Sequence, residues 1–178
     1  MSVNPVRTRT AITVAIAATT ALLLVLIWNA PATAAGPFIV NVTDDSSDGA
    51  CDATHCSLRD AIEAVNAAGE LSRIEFNVPI TDPGYSTTTE TFLIQPASEL
   101  PRITAPVVID GYTQPGSVMN SSPLSLGLNT QLKIFLNGAS VGGENTGLII
   151  TAGASTVTGL GFTDFPGEAI RIEGASAN

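Results

Sequence analysis

The sequence predicts a mainly β fold, a solenoid in which each coil covers the apolar face of the last. Three observations carry that expectation. Charged residues make up only 13% of the chain, and Thr, Ser, Gly, Asn and β-branched residues fill their place, a composition that suits strands and turns rather than helix bundles. Apolar segments of four to six residues recur, most of them ended by Gly, Pro or Asn. The C-terminal third also repeats: Gly138-Ala139-Ser140, Gly153-Ala154-Ser155 and Gly174-Ala175-Ser176 each follow such a segment, the last two 21 residues apart, with Ile149 and Ile170 in the same register. Repeats near 20 residues with glycine corners are a solenoid signature.

The elements follow in order. Arg7 and Arg9 precede an uncharged apolar run from Ala11 to Trp28, then Asn29, Pro31 and Ala32-Thr33-Ala34. A basic start, an apolar centre and a small-residue A-x-A site form a secretory signal peptide over 1–34. Cleavage is expected after Ala34, or alternatively after Ala35. No Arg-Arg pair points to the twin-arginine route, so export by the Sec route is expected. The alternative is an anchor helix that is kept, since 18 residues is long for a signal and short for a span. Both place the remainder outside the cytoplasm, and only the second attaches it to a membrane.

Phe38 to Val42 reads as a strand, and Thr43 to Asp52 as a polar loop. Leu58, Ala61, Ile62 and Val65 then recur at helical spacing, which predicts a helix over 58–67. Ser57 is its N-cap, Asp60 supplies a capping-box carboxylate, and Gly69 ends it. Arg59 has two partners open to it, Glu63 four residues on or an acidic loop residue. Strands are expected at 73–78, 91–94, 106–111, 132–136 and 157–162, with a loop at 113–123. Asn137-Gly138 could alternatively turn a hairpin.

The only cysteines are Cys51 and Cys56. In an oxidising compartment such a pair forms a disulfide. His55 is the only histidine, so these thiols do not complete a zinc site. Net charge is −9, and −11 once Arg7 and Arg9 are removed from the 7 basic residues set against 16 acidic ones. That excludes nucleic acid and anionic membrane as partners of the exported part.

Two clusters invite a chemical reading. Asp44-x-Ser46-x-Asp48-Gly49 matches the first half of a calcium loop, but its twelfth position is His55 rather than Glu. Asp44, Ser46, Asp48 and Asp52 are therefore the candidate calcium ligands, beside the plainer reading of a solvated loop with local side-chain turns. His55 itself reads as an exposed loop residue. For a glycosidase or lyase the candidate carboxylates are Asp110 and Asp164, with Arg102, Lys133 and Arg171 as the cations available. Nothing in the sequence sets the separation of those carboxylates, so no catalytic residue and no cofactor is assigned.

Asp48-Gly49-Ala50-Cys51, Cys56-Ser57-Leu58-Arg59-Asp60-Ala61-Ile62 and Ala64-Val65-Asn66 resemble the CSLREA domain family, with Asp60 in place of the family's Glu. Ile74-Glu75-Phe76, Leu100-Pro101-Arg102-Ile103, Val107 to Gly111 and Thr113-Gln114-Pro115-Gly116 look like the segments that follow in such proteins. The resemblance implies a secreted or surface protein with a right-handed parallel β-helix, its first coil capped by the strand, disulfide loop and short helix. The expected layout is a signal peptide at 1–34, a CSLREA-type cap and first coils at 35–125, and the start of the β-helix repeats at 126–178, cut short. The expected function is an adhesin-like binding or structural module for an extracellular ligand, carbohydrate or surface protein. The alternative is the N-terminal part of a carbohydrate-active β-helix enzyme.

Overall fold

The computed structural model describes residues 36–142 and 146–174. The apolar run, the cleavage positions Ala34 and Ala35, and Ala175-Ser176 of the last repeat lie outside them. The strands are β1 (Phe38–Val40), β2 (Ser72–Phe76), β3 (Tyr85–Ser86), β4 (Thr91–Ile94), β5 (Val107–Asp110), β6 (Ile134–Asn137), β7 (Leu148–Ile150), β8 (Thr156–Thr158), β9 (Leu160–Thr163) and β10 (Ile170–Ile172). One α-helix, α1 (Leu58–Ala68), joins β1 to β2. Short 3-10 turns stand at Gly111–Thr113 and Leu124–Leu126.

The helix forms where its periodicity places it. Ser57 Oγ accepts the Asp60 N–H, and Asp60 Oδ2 accepts the Ser57 N–H at 3.2 Å, a complete capping box. Gly69 closes the far end at φ +70, with its N–H on the Val65 carbonyl. Leu58, Ala61, Ile62 and Val65 are all buried, on one face of the helix. With Val40, Ile74, Phe76, Ile94 and Ile109 they belong to a single apolar core. An eleven-residue helix is marginal alone, so this packing is what holds it.

The strands make three sheets. The first runs β1-β2-β5-β8, the second β3-β4-β6-β9, and the third pairs β10 with β7. The first and third are parallel throughout; the second is mixed, because β3 pairs antiparallel with β4.

The architecture corrects the predicted right-handed parallel β-helix. It is mixed α/β, with a helix packed on parallel strands and a mixed sheet beside them, and the described residues form no closed solenoid. The repeat also fails as a ruler. In register, Phe38 stands beside Ile74, Ser72 beside Val107, Val108 beside Thr156, and Phe92 beside Ile134. These offsets are unequal, because a helix, a loop and a hairpin occupy the connections. A spacing near 20 occurs only at the end, and it differs by one from the expected register. Ile170 stands beside Leu148, and Ile149 beside Arg171. A one-residue slip exchanges the two faces of a strand, so Gly-Ala-Ser spacing alone does not set the pairing.

Strand bounds otherwise follow the apolar pattern, with one break. The expected strand at 157–162 divides at Gly159, which lies at φ +70 between β8 and β9. There the chain passes from the first sheet to the second. Asn137-Gly138 turns no hairpin: β6 runs parallel to β9, and the Gly138 N–H continues that ladder onto the Thr163 carbonyl.

A clasp of carboxylates around His55

The candidate site lies where the loop after β1 meets the start of α1. Cys51 and Cys56 are joined as a disulfide. The loop it closes holds His55, and its Cys56 end is tied to Asn41, the residue after β1. The Asn41 N–H donates to the Cys56 carbonyl at 3.0 Å, and Asn41 Oδ1 accepts the Cys56 N–H at 2.8 Å.

The acidic residues of the loop are held first by their own backbone. Asp44 Oδ1 accepts the Ser46 N–H at 3.0 Å and its hydroxyl at 2.6 Å. Asp48 Oδ1 accepts the Ala50 N–H at 3.0 Å. Asp52 Oδ1 accepts the Thr54 N–H at 2.7 Å and the His55 N–H at 3.2 Å. These are the local turns that short carboxylates make. Of the four candidate calcium ligands, Asp44, Ser46 and Asp48 put side-chain atoms around His55, while the Asp52 carboxylate closes the turn leading into it.

His55 is the centre of the arrangement, and its side chain is only 22% exposed. Nε2 lies 3.2 Å from Asp44 Oδ1 and 3.1 Å from Ser46 Oγ. On the opposite edge of the ring, Nδ1 lies 3.3 Å from Asp60 Oδ2 and 3.8 Å from Asp48 Oδ2. Asp60 is the capping residue of α1 and its side chain is wholly buried. The expectation of a plain exposed histidine thus gives way to a ring inside a clasp of three carboxylates. Burial pushes the His55 pKa down, but the hydrogen bond and charge of Asp44, with the charges of Asp48 and Asp60, outweigh it and raise it. Burial likewise pushes the Asp60 carboxyl up, and the neighbouring serine hydroxyls, the Ser57 N–H and the His55 charge hold it below the usual range. Asp44 follows the same pattern, burial against Ser46 and His55, and is lowered.

A second ion pair ties the loop to the rest of the fold. Arg59 takes the second of its two predicted options. Its Nε and Nη2 donate to the two oxygens of Asp45 at 3.1 and 2.8 Å. The same guanidinium donates to the carbonyls of Glu99 and Ser98 at 3.0 and 3.1 Å. Glu63, the other option, accepts the Ser47 hydroxyl at 3.1 Å. One helical turn on, the Asn66 amide donates to the Arg102 carbonyl at 2.7 Å and accepts the Thr104 N–H at 2.8 Å. Beside the disulfide a cleft of about 650 Å³ opens, lined by Pro37, Ile39, Asn41, Cys51, Asp52 and Thr54 among others.

The candidate catalytic carboxylates lie at the ends of strands in different sheets. Asp110 ends β5, caps the 3-10 turn through Tyr112 N–H at 3.1 Å, and faces Arg73 at 3.3 Å. Asp164 follows β9, in the other four-stranded sheet, and takes the Asn137 amide. The available cations meet glutamates instead: Arg102 meets Glu173, Lys133 meets Glu90 at 3.3 Å, and Arg171 meets Glu168 at 2.6 Å. Among the described residues no helix is long and apolar enough to cross a membrane.

Sequence reasoning missed the role of His55 and the coupling of Asp60 to it. One signal was present: a lone histidine two residues before a helix N-cap, with an acidic residue at the third helical position and four more in the preceding loop. No family model, curated protein or solved structure matches the chain.

Proposed function

We propose that this chain is an exported module that binds or scaffolds outside the cytoplasm, without catalysis of its own. The observation that carries the reading is the Cys51–Cys56 disulfide, which closes a loop tied to Asn41 after β1 and set against Asp60 of α1. Such a bond persists in oxidising compartments and is rare in the cytosol. The basic-apolar-small order of residues 1–34 supports the same destination. The cleft beside the disulfide is mixed in character, with Asn41, Asp52 and Thr54 next to Ile39 and Pro37, and is the surface we assign to an extracellular ligand, a carbohydrate or a surface protein.

The CSLREA resemblance belongs to this reading, and the tasks of its residues support it. Cys56 closes the loop, Ser57 and Asp60 cap the helix, Leu58, Ala61 and Ile62 enter the core, Arg59 clamps Asp45, and Asn66 holds the segment at 102–104.

The test is expression of the full chain with its own N-terminus in a bacterial host, followed by fractionation and intact-mass analysis. Recovery outside the cytoplasm, two hydrogen atoms lighter than the dithiol, is the expected result. Cytoplasmic recovery with two free thiols overturns it. Turnover of a polysaccharide by the purified protein overturns the non-catalytic part.

A further inference from the structure

We propose that Asp48, His55 and Asp60 form a binding site for a divalent transition-metal ion, which clamps the acidic loop onto the N-terminus of α1. This stands apart from the export reading, since it rests on the geometry of the clasp alone.

The three side chains each offer one ligand atom, and those atoms lie within 4.8 Å of one another. The stronger observation is what lies unpartnered there. Nδ1 of His55 and Oδ1 of Asp60 are both buried and lack a hydrogen-bond partner. Asp60 belongs to a side chain with no exposed surface, and a buried carboxylate oxygen left unpaired is costly. Nδ1 has carboxylate oxygens at 3.3 and 3.8 Å, yet neither contact has hydrogen-bond geometry. A proton on Nδ1 would therefore be poorly shared. A cation between the ring and the two carboxylates would take the orphaned Nδ1 and one oxygen of the buried Asp60 carboxylate in a single site.

The other edge of the ring has the arrangement that metal-binding histidines use. Nε2 faces Asp44 Oδ1 at 3.2 Å. A histidine bound to metal through one nitrogen typically gives its other N–H to a carboxylate, which fixes the tautomer and the ring plane. Asp44 is placed to do that, leaving the Nδ1 lone pair for the ion.

Ligand type selects the ion. Calcium and magnesium take oxygen ligands, whereas one imidazole nitrogen with two carboxylates suits zinc, manganese or a neighbouring first-row ion. A 4.8 Å spread is wide for bonds of roughly 2.0–2.2 Å, so one ligand must draw in. Asp48 is the one free to do so, its side chain being 57% exposed. Three protein ligands leave at least one position for water or for an oxygen of an external ligand.

The test uses the untagged full-length chain, labelled with ¹⁵N and titrated with Zn²⁺. Because His55 is the only histidine, every imidazole signal is its own. Long-range ¹H–¹⁵N spectra should show Nδ1 moving to a metal-bound position while Nε2 keeps its proton. Asp48→Asn, at an exposed position, should leave the fold intact and weaken Zn²⁺ binding at least tenfold. Asp44→Asn should weaken it by roughly 10-fold or more through the ring orientation. Tenfold excess Ca²⁺ should not displace the ion. A stationary Nδ1 signal, binding indifferent to Asp48→Asn, or displacement by Ca²⁺ would each overturn the site. The first outcome would leave His55 as a ring held among its carboxylates and nothing more.

Discussion

At the scale of single residues, two polar side chains decide more than their composition suggests. His55 and its carboxylates make stability depend on pH in both directions. The folded His55 pKa is raised above 6.5, so its contribution is complete below that value and is lost as pH rises through the folded pKa. Asp44 and Asp60 are lowered below 3.8, so theirs is complete above that value and is lost as pH falls through the folded pKa values. These are two views of one set of contacts and are not added. With chelator present, urea midpoints should be highest between 3.8 and 6.5 and fall on both sides. His55→Asn should flatten the alkaline limb; an unchanged limb would show that the ring is not the group responsible. Gln114 acts by hydrogen bonds alone. Buried at 2% exposure, it accepts the Val78 N–H at 2.8 Å and donates to the Val78 carbonyl at 2.9 Å. It thereby stands in for the strand that would otherwise pair there. Gln114→Leu keeps the bulk and orphans both backbone groups, at an expected cost of about 3 kcal/mol, readable as a drop in urea midpoint at constant slope.

At the scale of elements, the disulfide loop and α1 form one unit, and most of it was legible in advance. The helix, its N-cap, its capping box and its terminal glycine follow from Ser57, Asp60 and Gly69 because capping is local chemistry. It depends on residues three or four apart and on little else. The disulfide is legible for the same reason, a lone pair at a separation of 5. The clasp was not, because it joins Asp44, Asp48, His55 and Asp60 through a loop whose path depends on where β1 and α1 pack. Cys51→Ser with Cys56→Ser should cost about 2 kcal/mol, the chain-entropy value for so short a loop. Thermal unfolding should register the loss, and amide exchange should rise first in residues 44–56. Protection unchanged there would mean that the Arg59–Asp45 pair and the Asn41 bonds hold the loop unaided.

At the scale of the whole molecule, successive passes of the chain meet at points where backbones nearly touch. Gly111 and Gly159 meet so closely that a Cβ on Gly111 would lie 2.2 Å from the Gly159 carbonyl oxygen, and one on Gly159 would lie 2.5 Å from the Tyr112 nitrogen. Neither obstacle is a side chain that can turn aside. Gly111→Ala should therefore cost roughly 2–3 kcal/mol, seen as a lower denaturation midpoint with the helix signal kept until the same transition. A neutral effect would show that β5 and β8 are free to separate. The apolar alternation located most strands, since burial on one face imposes a period of two. It did not determine which strands pair. The Gly-Ala-Ser spacing suggested a regular coil, yet Ile170 stands beside Leu148 and Val108 beside Thr156, with unequal lengths of chain between partners. Signals written within a few residues — caps, the cysteine pair, strand periodicity — are read correctly from the chain because the forces behind them act over a few residues. Sheet order, register and the carboxylate clasp were settled only in three dimensions, where distant segments compete for one core and each pairing depends on all the others.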